Sequence, residues 1–378
     1  MQENNKYKIC IFSPLENAYS ETFIKNHINN LPFNIQVVNG TSLDNASFNG
    51  KMLLGNSVVV KIFARMFKSK NACAFFLLKR KLEMLKPDLV LFEYGHIGVN
   101  FYKICLILNI PFIVHFHGND ASHTDTINLL GDHYRQMFSK ASAVIGVSRS
   151  MIERLISLGA TKDKLHNIPY GVDLNFFQKN SKQVNLEKKI IVGVGRFVEK
   201  KAPHITILAF SKIINKHPNA ELIFAGDGPL LNPCKQLVRA LKMESCVKFL
   251  GIQSPVQIAG LLNCAYLFVQ HSVIDEDGGA EGAPNSIIES SGSGVPVVST
   301  RHEGIPDIVL DGVTGILVEE FDIEKMSIAI DEILSNGELH EKMSSAGVLR
   351  IKSDFNLDVQ IKKLAALVED IILLNERR

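Results

Sequence analysis

Short apolar runs alternate with helix-length segments along almost the whole chain, and this alternation constrains the fold more than any other feature. Such runs, bounded by Gly, Pro or Asp, are typical of parallel strands that helices cover on both faces. We therefore predict an α/β protein built on doubly wound parallel sheets. The runs are KYKICIFS, FNIQVVN, DLVLFEY, PFIVHFHG and ASAVIGVS in the first half, and KIIVGVGRF, AELIFAGDG, VKFLG, AYLFVQHS and VPVVST in the second.

The number of runs and the length of the chain predict two domains. A chain of 378 residues is long for one hydrophobic core. The stretch NFFQKNSKQVNLEKK, residues 175–189, is polar and has no periodicity, which is typical of a linker. We predict two Rossmann-like domains, residues 1–180 and 187–353, that face each other across a cleft. Ligands are expected at the carboxyl ends of the strands.

The composition excludes several classes of protein. A formal charge of +2 gives no indication of nucleic acid as a partner. The 6 cysteines have irregular spacing and are interpreted as reduced thiols, not as a disulfide or zinc framework. The N-terminal sequence has no signal-peptide pattern, and no apolar run reaches the roughly 18 residues of a spanning helix. The expectation is a cytoplasmic protein.

The stretch AEGAPNSIIESSGSGVPVVST, residues 280–300, places two glutamates around the start of a predicted helix. Pro284 suits the first turn of a helix, which is expected to cover residues 285–291 and to end in glycines. Glu281 precedes this helix and Glu289 lies within it. At 1.5 Å per residue, the two carboxylates are about 12 Å apart along the helix axis.

This arrangement matches the shape of a nucleotide-sugar. The free N–H groups at a helix N-terminus bind a pyrophosphate, and the two carboxylates accept hydrogen bonds from hydroxyls of a sugar and of a ribose. The alternative is that both glutamates are ordinary solvated residues around a helix start.

A second stretch, GVGRFVEKKAP, follows the predicted strand KIIVGV. It places Arg196 and Lys201 five residues apart, and such a pair can stabilise a departing nucleoside diphosphate without a metal. The neighbouring Lys200 leaves the choice of lysine open, and a basic surface loop is the alternative. The turn AGDGP is interpreted as an element that shapes the backbone.

Together these motifs resemble a known family. GRFVEKKAP, AGDGP, Glu281-x7-Glu289 and HEGIPDIVLDGVTGILV, in that order, are similar to the retaining glycosyltransferase family four, which has the GT-B fold. In the first half, SETFIKNHINNL, HFHGND and HNIPYGVDLNFF resemble the exopolysaccharide and colanic-acid type of group 1 glycosyltransferase. The loop SPLENAYSET lacks the glycine pair of many relatives, and Ala202 stands where the family usually has glycine.

The resemblance implies a role for each matching residue. Arg196 and Lys201 would bind the diphosphate, Glu281 the donor-sugar hydroxyls, and Glu289 the ribose. His117 would face the transferring sugar, and Ile252 would lie near the base. Residues 354–378 would return to the first domain as a helix. The helix entry would offer main-chain N–H groups to the donor; it comprises Gly282, Ala283, Pro284, Asn285 and Ser286.

Two groups of polar residues allow a metal site as an alternative. His115, His117, Asp120 and His123 lie close together in sequence, but no further ligand follows at a typical spacing. Asp275-Glu276-Asp277 contains an Asp-x-Asp in an acidic, glycine-containing loop, where a solvated role is favoured. We expect no metal and no other cofactor, with the nucleotide-sugar as a substrate.

A basic and apolar segment, residues 51–86, contains nine Lys or Arg residues and one acid, Glu83. Apolar residues lie between the charges, which suits peripheral contact with an anionic membrane and with a lipid-linked acceptor. The alternative is a pair of helices that pack on the sheet and leave a solvated basic face.

The predicted function is that of a retaining glycosyltransferase of bacterial surface polysaccharide synthesis, such as exopolysaccharide or lipopolysaccharide. The donor is a UDP- or GDP-sugar, the acceptor is a glycan, and no nucleic acid is involved. The alternatives are a non-catalytic nucleotide-sugar or glycan-binding protein and a nucleotide-sugar epimerase of the same fold.

Overall fold

The computed structural model describes residues 6–14, 22–54, 70–177 and 188–377. The chain forms two compact units: unit 1 comprises Met1–Pro169 and Gln360–Arg378, and unit 2 comprises Tyr170–Val359. The division at residue 169 lies before the predicted boundary at 180 because Val172 forms a β-bridge with Asn356, inside unit 2. Residues 178–187 of the predicted linker lie outside the described residues.

Unit 1 contains an eight-stranded sheet in the order β4-β3-β2-β1-β5-β6-β7-β8. The strands pair in parallel except at β2–β3 and β3–β4, which are antiparallel. Their bounds are β1 Lys8–Ser13, β2 Asn34–Asn39, β3 Ser47–Phe48, β4 Lys51–Met52, β5 Leu89–Glu93, β6 Phe112–His115, β7 Ala143–Gly146 and β8 Leu165–Asn167.

The centre of this sheet explains why its strands are apolar. Every residue of β5 is buried, since β5 lies between β1 and β6 and helices cover such a strand on both faces. The helices of unit 1 are α1 Thr22–Asn30, α2 Lys70–Leu85, α3 Gly95–Leu108, α4 Asn119–Ser122, α5 Thr124–Lys140 and α6 Arg149–Ser157, with 3-10 turns at Leu43–Asn45 and Lys162–Lys164.

Unit 2 contains a six-stranded parallel sheet in the order β11-β10-β9-β12-β13-β14. All carboxyl ends of its strands therefore lie at one edge of the sheet, and the candidate donor-binding motifs follow β9, β10, β11 and β12 there. The bounds are β9 Lys189–Val194, β10 Ala220–Ala225, β11 Val247–Phe249, β12 Leu267–Gln270, β13 Val297–Thr300 and β14 Gly315–Val318.

The helices of unit 2 begin at residues that suit a helix start. Ser254 caps α9 through a capping box with Gln257, and Asp322 and Asn336 cap α12 and α13. The bounds are α7 Pro203–Ile213, α8 Leu231–Ala240, α9 Pro255–Cys264, α10 Asn285–Gly292, α11 Ile305–Ile308, α12 Ile323–Ser335, α13 Gly337–Asp354 and α14 Leu357–Glu376, with a 3-10 turn at Glu199–Lys201. From Gln360 onward, α14 belongs to unit 1.

The basic segment is described only in part, because residues 55–69 lie outside the described residues, as do residues 15–21 of the first loop. In α2, Cys73, Leu78 and Leu82 are buried, whereas Arg80 and Lys81 are exposed. The helix therefore packs one face inward and leaves basic residues on the other. Among the described residues, no helix combines the length and the apolar character needed to cross a membrane.

Candidate functional site

The loop after β9 approaches the turn after β10 so closely that glycine is required at both. Gly195 and Gly226 have φ angles of +157° and +144°, in the region that favours glycine. A Cβ atom on Gly226 would lie 1.9 Å from the carbonyl oxygen of Gly195. The turn AGDGP therefore shapes the backbone beside the loop that carries Arg196 and Lys201.

Two adjacent lysines from this loop contact one carboxylate. Lys201 Nζ lies 3.0 Å from Glu281 Oε2, and Lys200 Nζ lies 3.4 Å from Glu281 Oε1. Lys200 Nζ also donates to the carbonyl oxygen of Ala280, at 3.0 Å. Ala202 ends the 3-10 turn with φ +32° and ψ +53°, a left-handed conformation that accounts for the glycine found there in the family. The fold thus joins the basic loop to the segment before α10.

The charges in this cluster hold Glu281 ionised. Burial alone would raise the pKa of Glu281, but the charges of Lys201 and Lys200 outweigh burial and keep this pKa below its ordinary value. Burial lowers the pKa of Lys201, and the charges of Lys200 and Arg196 add to that effect against the attraction of Glu281. A diphosphate placed beside Lys201 and Arg196 would relieve the repulsion between these cations.

A histidine and a second glutamate hold the backbone of Glu281. The backbone N–H of Glu281 donates to His302 Nε2 at 3.0 Å, and His302 Nδ1 lies 2.6 Å from Glu320 Oε1. Since Nε2 accepts, the ring proton is on Nδ1 and is donated to Glu320. The other oxygen of Glu320 accepts from the backbone N–H of Ile274. Glu281 is therefore fixed at both its backbone and its carboxylate.

Helix α10 begins beside this carboxylate. Pro284 is the residue before the helix, and α10 then covers Asn285–Gly292, close to the predicted range. The Ser286 hydroxyl donates to Gln270 Oε1 at 3.1 Å, which ties the first turn to the end of β12. The first N–H groups of a helix have no acceptor within the helix, so this end can bind an anion. Gly282 and Ala283 are buried in the entry loop.

Glu289 lies within α10 and is partly buried. Burial raises the pKa of its carboxyl from 4.5 to about 7. Among the described residues, no hydrogen bond or ion pair satisfies this carboxylate. A ribose that donates two hydroxyl hydrogens would stabilise its charged form.

We predict that Glu289→Gln removes a pH-dependent cost of stability. An acid whose pKa rises on folding from 4.5 to about 7 binds more protons in the folded state, so stability is lost as the pH rises between these values and stays lower above them. At about 1.4 kcal/mol per pKa unit, the cost at pH 8 is at most about 3.5 kcal/mol. The variant should melt at a clearly higher temperature than the wild type at pH 8, and the difference should be much smaller at pH 5.

Thermal melting of both proteins across this pH range checks the prediction. Glu276→Gln is the matched control, because it removes an exposed carboxylate from the loop that precedes Glu281. An equal change in melting temperature at pH 5 and pH 8 for Glu289→Gln would contradict the assigned pKa.

The two remaining donor residues of unit 2 are exposed. The Arg196 side chain is exposed and has no ion-pair partner within the described residues. Ile252 is 55% exposed and follows Gly251, whose carbonyl oxygen accepts from Gly226 N–H. Both residues thus belong to the carboxyl edge of the sheet that carries Lys201. Their proposed contacts with the diphosphate and the base stay predictions.

The acidic loop before Glu281 is stabilised by its own first carboxylate. Asp275 Oδ1 accepts from the backbone N–H of Gly279 at 2.5 Å, and the Asp275 N–H donates to the Gly279 carbonyl. The side chain of Asp275 is therefore used within the loop, whereas Glu276 and Asp277 are exposed, as expected of a solvated loop.

In unit 1, His117 lies just beyond the carboxyl end of β6 and contacts a fully buried glutamate. His117 Nε2 and His27 Nδ1 lie 2.8 Å from the two oxygens of Glu93, one on each. Asp120 Oδ1 accepts from the backbone N–H groups of His117 and Gly118. The proposed contact of His117 with the transferring sugar stays a prediction.

The distances in this cluster fit hydrogen bonds better than coordination of a metal ion. Candidate ligand atoms of His27, Glu93 and His115 lie within 4.8 Å of one another, a different set from the His115, His117, Asp120 and His123 weighed in the sequence. Two ligands at about 2.1 Å from one tetrahedral zinc lie about 3.4 Å apart. The 2.8 Å separation of His27 from Glu93 is instead that of a hydrogen bond.

Sequence reasoning missed several residues that the structure places in these clusters. The sequence left the role of Lys200 open and assigned none to His302, Glu320, Glu93 or His27. Glu93 carried a usable signal, because an acid at the end of the apolar run DLVLFEY lies at the carboxyl edge of a parallel sheet. The other contacts join residues far apart in the chain, and spacing alone does not predict them.

Family models match most of the chain. The model described as Glycosyltransferase Family 4 matches residues 34–176, and the model described as Glycosyl transferases group 1 matches residues 175–350. The putative colanic acid biosynthesis glycosyltransferase WcaL of Escherichia coli K12 is 27% identical over 75% of this chain and 71% of its own length. The amylovoran biosynthesis glycosyltransferase AmsK of Erwinia amylovora is 27% identical over 75% of this chain and 70% of its own.

Solved structures establish the fold. Anabaena HepE, crystallised with UDP and glucose, superposes with a TM-score of 0.77 at 17% identity and covers 96% of this chain and 100% of its own. Sucrose-phosphate synthase of Thermosynechococcus elongatus superposes with a TM-score of 0.79 at 16% identity and covers 98% and 100%. The predicted GT-B fold is confirmed.

Proposed function

This chain belongs to the group 1 glycosyltransferases of family four, and we propose that it transfers a sugar from a nucleotide-diphosphate donor to a glycan with retention of configuration at the anomeric carbon. Unit 2 binds the donor, and unit 1 binds the acceptor.

One observation carries the donor assignment: the ion pair of Lys201 with Glu281 at 3.0 Å. It joins the basic loop after β9 to the entry of α10, so a phosphate-binding cation and a hydroxyl-binding carboxylate meet at the N-terminus of a helix. A diphosphate-linked sugar is a ligand that uses all three features. The exposed Arg196 of the same loop has no ion-pair partner within the described residues, and a protein that only bound a glycan would not need this cation.

The proposed step is a front-face substitution. The bond between the anomeric carbon and the β-phosphate oxygen breaks, and its electron pair stays on that oxygen. The acceptor oxygen forms its bond to the same face of the carbon, and its proton passes to the departing phosphate oxygen. Lys201 and Arg196 stabilise the negative charge that develops on the diphosphate, which is where preorganised charges lower a barrier most.

The relatives suggest the kind of product. WcaL and AmsK are named for colanic acid and amylovoran biosynthesis, which supports an exopolysaccharide pathway for this chain. We propose that its acceptor is lipid-linked. We propose peripheral contact of residues 51–86 with the inner face of the cell membrane. The exposed basic residues of α2 support this contact.

A donor screen tests the proposal. UDP-sugars form the first arm because HepE was crystallised with UDP, and GDP-sugars form the second. We expect one class of donor to raise the melting temperature in the presence of EDTA, since the chain's own cations neutralise the diphosphate. Release of UDP or GDP should then require an added saccharide.

Each other outcome has a definite meaning. Donor binding without turnover against any acceptor in a glycan panel would favour the non-catalytic binding protein. Conversion of the donor sugar without an acceptor would favour the epimerase. Donor binding that EDTA abolishes would contradict the metal-independent site.

A further inference from the structure

A buried carboxylate in unit 1 connects two histidines from different elements. Glu93 is 0% exposed and ends β5, where it lies between α1 and the loop after β6. His27 from α1 and His117 from that loop each lie 2.8 Å from one of its oxygens. Both oxygens of the carboxylate are therefore in contact with an imidazole.

The charge of Glu93 determines the direction of these hydrogen bonds. Burial alone would raise the pKa of Glu93, but the charge of His27 and the hydrogen bonds from His117 and His27 outweigh burial and keep this pKa below its ordinary value. An ionised carboxylate only accepts hydrogen bonds. His117 must therefore carry a hydrogen on Nε2, and Nδ1 is the ring nitrogen on the side away from Glu93.

Packing fixes the plane of the His117 ring. The rings of Phe23 and Tyr94 lie 4.4 Å and 4.6 Å from it, centroid to centroid, one tilted and one edge-on. Asp120 holds the backbone on both sides of the Cα atom through the N–H groups of His117 and Gly118. Packing and the backbone therefore restrain the ring of His117, and the contact with Glu93 acts on its Nε2.

We propose that Glu93 is the positioning residue of His117: its carboxylate fixes the imidazole in the Nε2–H tautomer and so sets which hydrogen bonds Nδ1 can make. The use of His117 in transfer rests on the proposed function, whereas the tautomer of His117 does not depend on it. A neutral His117 held in this way presents an acceptor at Nδ1. A hydroxyl group of a sugar is the kind of donor that such a nitrogen binds.

His115, the neighbouring histidine, does not form a hydrogen bond with Glu93. His115 is buried, and burial lowers its pKa well below the ordinary value. Its Nδ1 lies 3.6 Å from Glu93, beyond hydrogen-bonding distance. His115 therefore leaves the carboxylate to His27 and His117. Among the described residues, the other titratable groups near this cluster include Tyr94 and His96, beside His117, and Asp120, which is bonded to the backbone.

Nuclear magnetic resonance of the full chain with ¹⁵N-labelled histidine measures the tautomer directly. Loss of one ring signal in His117→Gln assigns the resonance. In the wild type we expect His117 as the Nε2–H tautomer. In Glu93→Gln the amide can donate or accept, so the second tautomer should become populated. In a transfer assay, kcat should fall about 10- to 100-fold, the range found when a carboxylate that orients a metal-binding histidine is removed. The donor KM should stay within about threefold.

Two matched variants separate positioning from stability. His27→Asn keeps a donor to the other oxygen of Glu93 and should leave the His117 tautomer as in the wild type. Glu221→Gln removes a buried carboxylate of unit 2 that pairs with Lys188 and Lys248, and should leave the tautomer and kcat unchanged even where it lowers the melting temperature.

The overturning results are equally definite. A folded Glu93→Gln protein with an unchanged His117 tautomer would refute the inference, whether or not transfer is observed. One equivalent of zinc retained by the wild type and lost in Glu93→Gln would replace it with a metal site. Absence of transfer with the expected change of tautomer would refute the proposed function and leave the role of Glu93 standing.

Discussion

Glu281→Gln is expected to lose at least about 100-fold in turnover and about 3 kcal/mol in the free energy of unfolding. Both effects have one cause, because the carboxylate compensates Lys200 and Lys201 at 3.4 Å and 3.0 Å. Glutamine keeps the shape of the side chain but leaves two cations largely buried without a negative charge. The donor would then lose both a hydroxyl acceptor and the group that holds Lys201.

Steady-state kinetics and chemical denaturation measure the two effects. A double variant, Glu281→Gln with Lys201→Met, is the control. Removing both partners of a buried pair costs less than removing one, so this variant should be at least about 1 kcal/mol more stable than the sum of the single changes predicts. A Glu281→Gln enzyme with turnover within threefold of the wild type would contradict the role of this carboxylate.

Substitution of two adjacent lysines is expected to have opposite consequences. Lys201→Met should reduce turnover at least about 100-fold and change stability little, because Lys200 still compensates Glu281. Lys200→Met should reduce turnover less than tenfold and lower the free energy of unfolding by about 2 kcal/mol. Lys200 is only 8% exposed, and its ammonium group is already bonded to the carbonyl oxygen of Ala280.

Each variant is the control for the other, because each removes one positive charge from the same turn and one of the two lysines that contact Glu281. Kinetics and denaturation of the pair decide between them. The reverse order, with Lys200→Met inactive and Lys201→Met active, would assign the diphosphate to Lys200 and contradict the role proposed for Lys201.

The sequence predicted the buried strands well because burial on both faces leaves a strong pattern. All ten apolar runs contain a strand of the two sheets. Three of the four strands that it missed lack that pattern. β3 and β4 have two residues each, and β8 is the polar LHN. β14 lies inside a motif and begins with Gly315, where a Cβ atom would lie 2.3 Å from the carbonyl oxygen of Val297.

For the candidate site, the sequence predicted residue types and their edge of the sheet, but not their partners. Spacing along α10 determined that Glu281 precedes the helix and Glu289 lies within it. It did not determine that both Lys200 and Lys201 contact Glu281, since the conformation of the 3-10 turn decides where each ammonium group lies. The contact of Glu281 with Lys201 spans 80 residues of the chain.

The cluster of unit 1 was harder still to predict. His27 and Glu93 are 66 residues apart, and their contact requires α1 to pack at the end of β5. The sequence indicated His117 only through the resemblance of HFHGND to a family. A carboxylate in an apolar strand needs a compensating partner, which identifies Glu93 as unusual but does not identify the histidines.

The central claim is that Lys201, Arg196 and the start of α10 hold the diphosphate, and calorimetric titration with free UDP and GDP tests it most directly. For the nucleotide that binds the wild type, Lys201→Met and Arg196→Ala should each weaken binding at least about tenfold, the loss expected for a hydrogen bond to a charged group. Lys200→Met should bind within about threefold of the wild type. Wild-type affinity in both Lys201→Met and Arg196→Ala would contradict the claim.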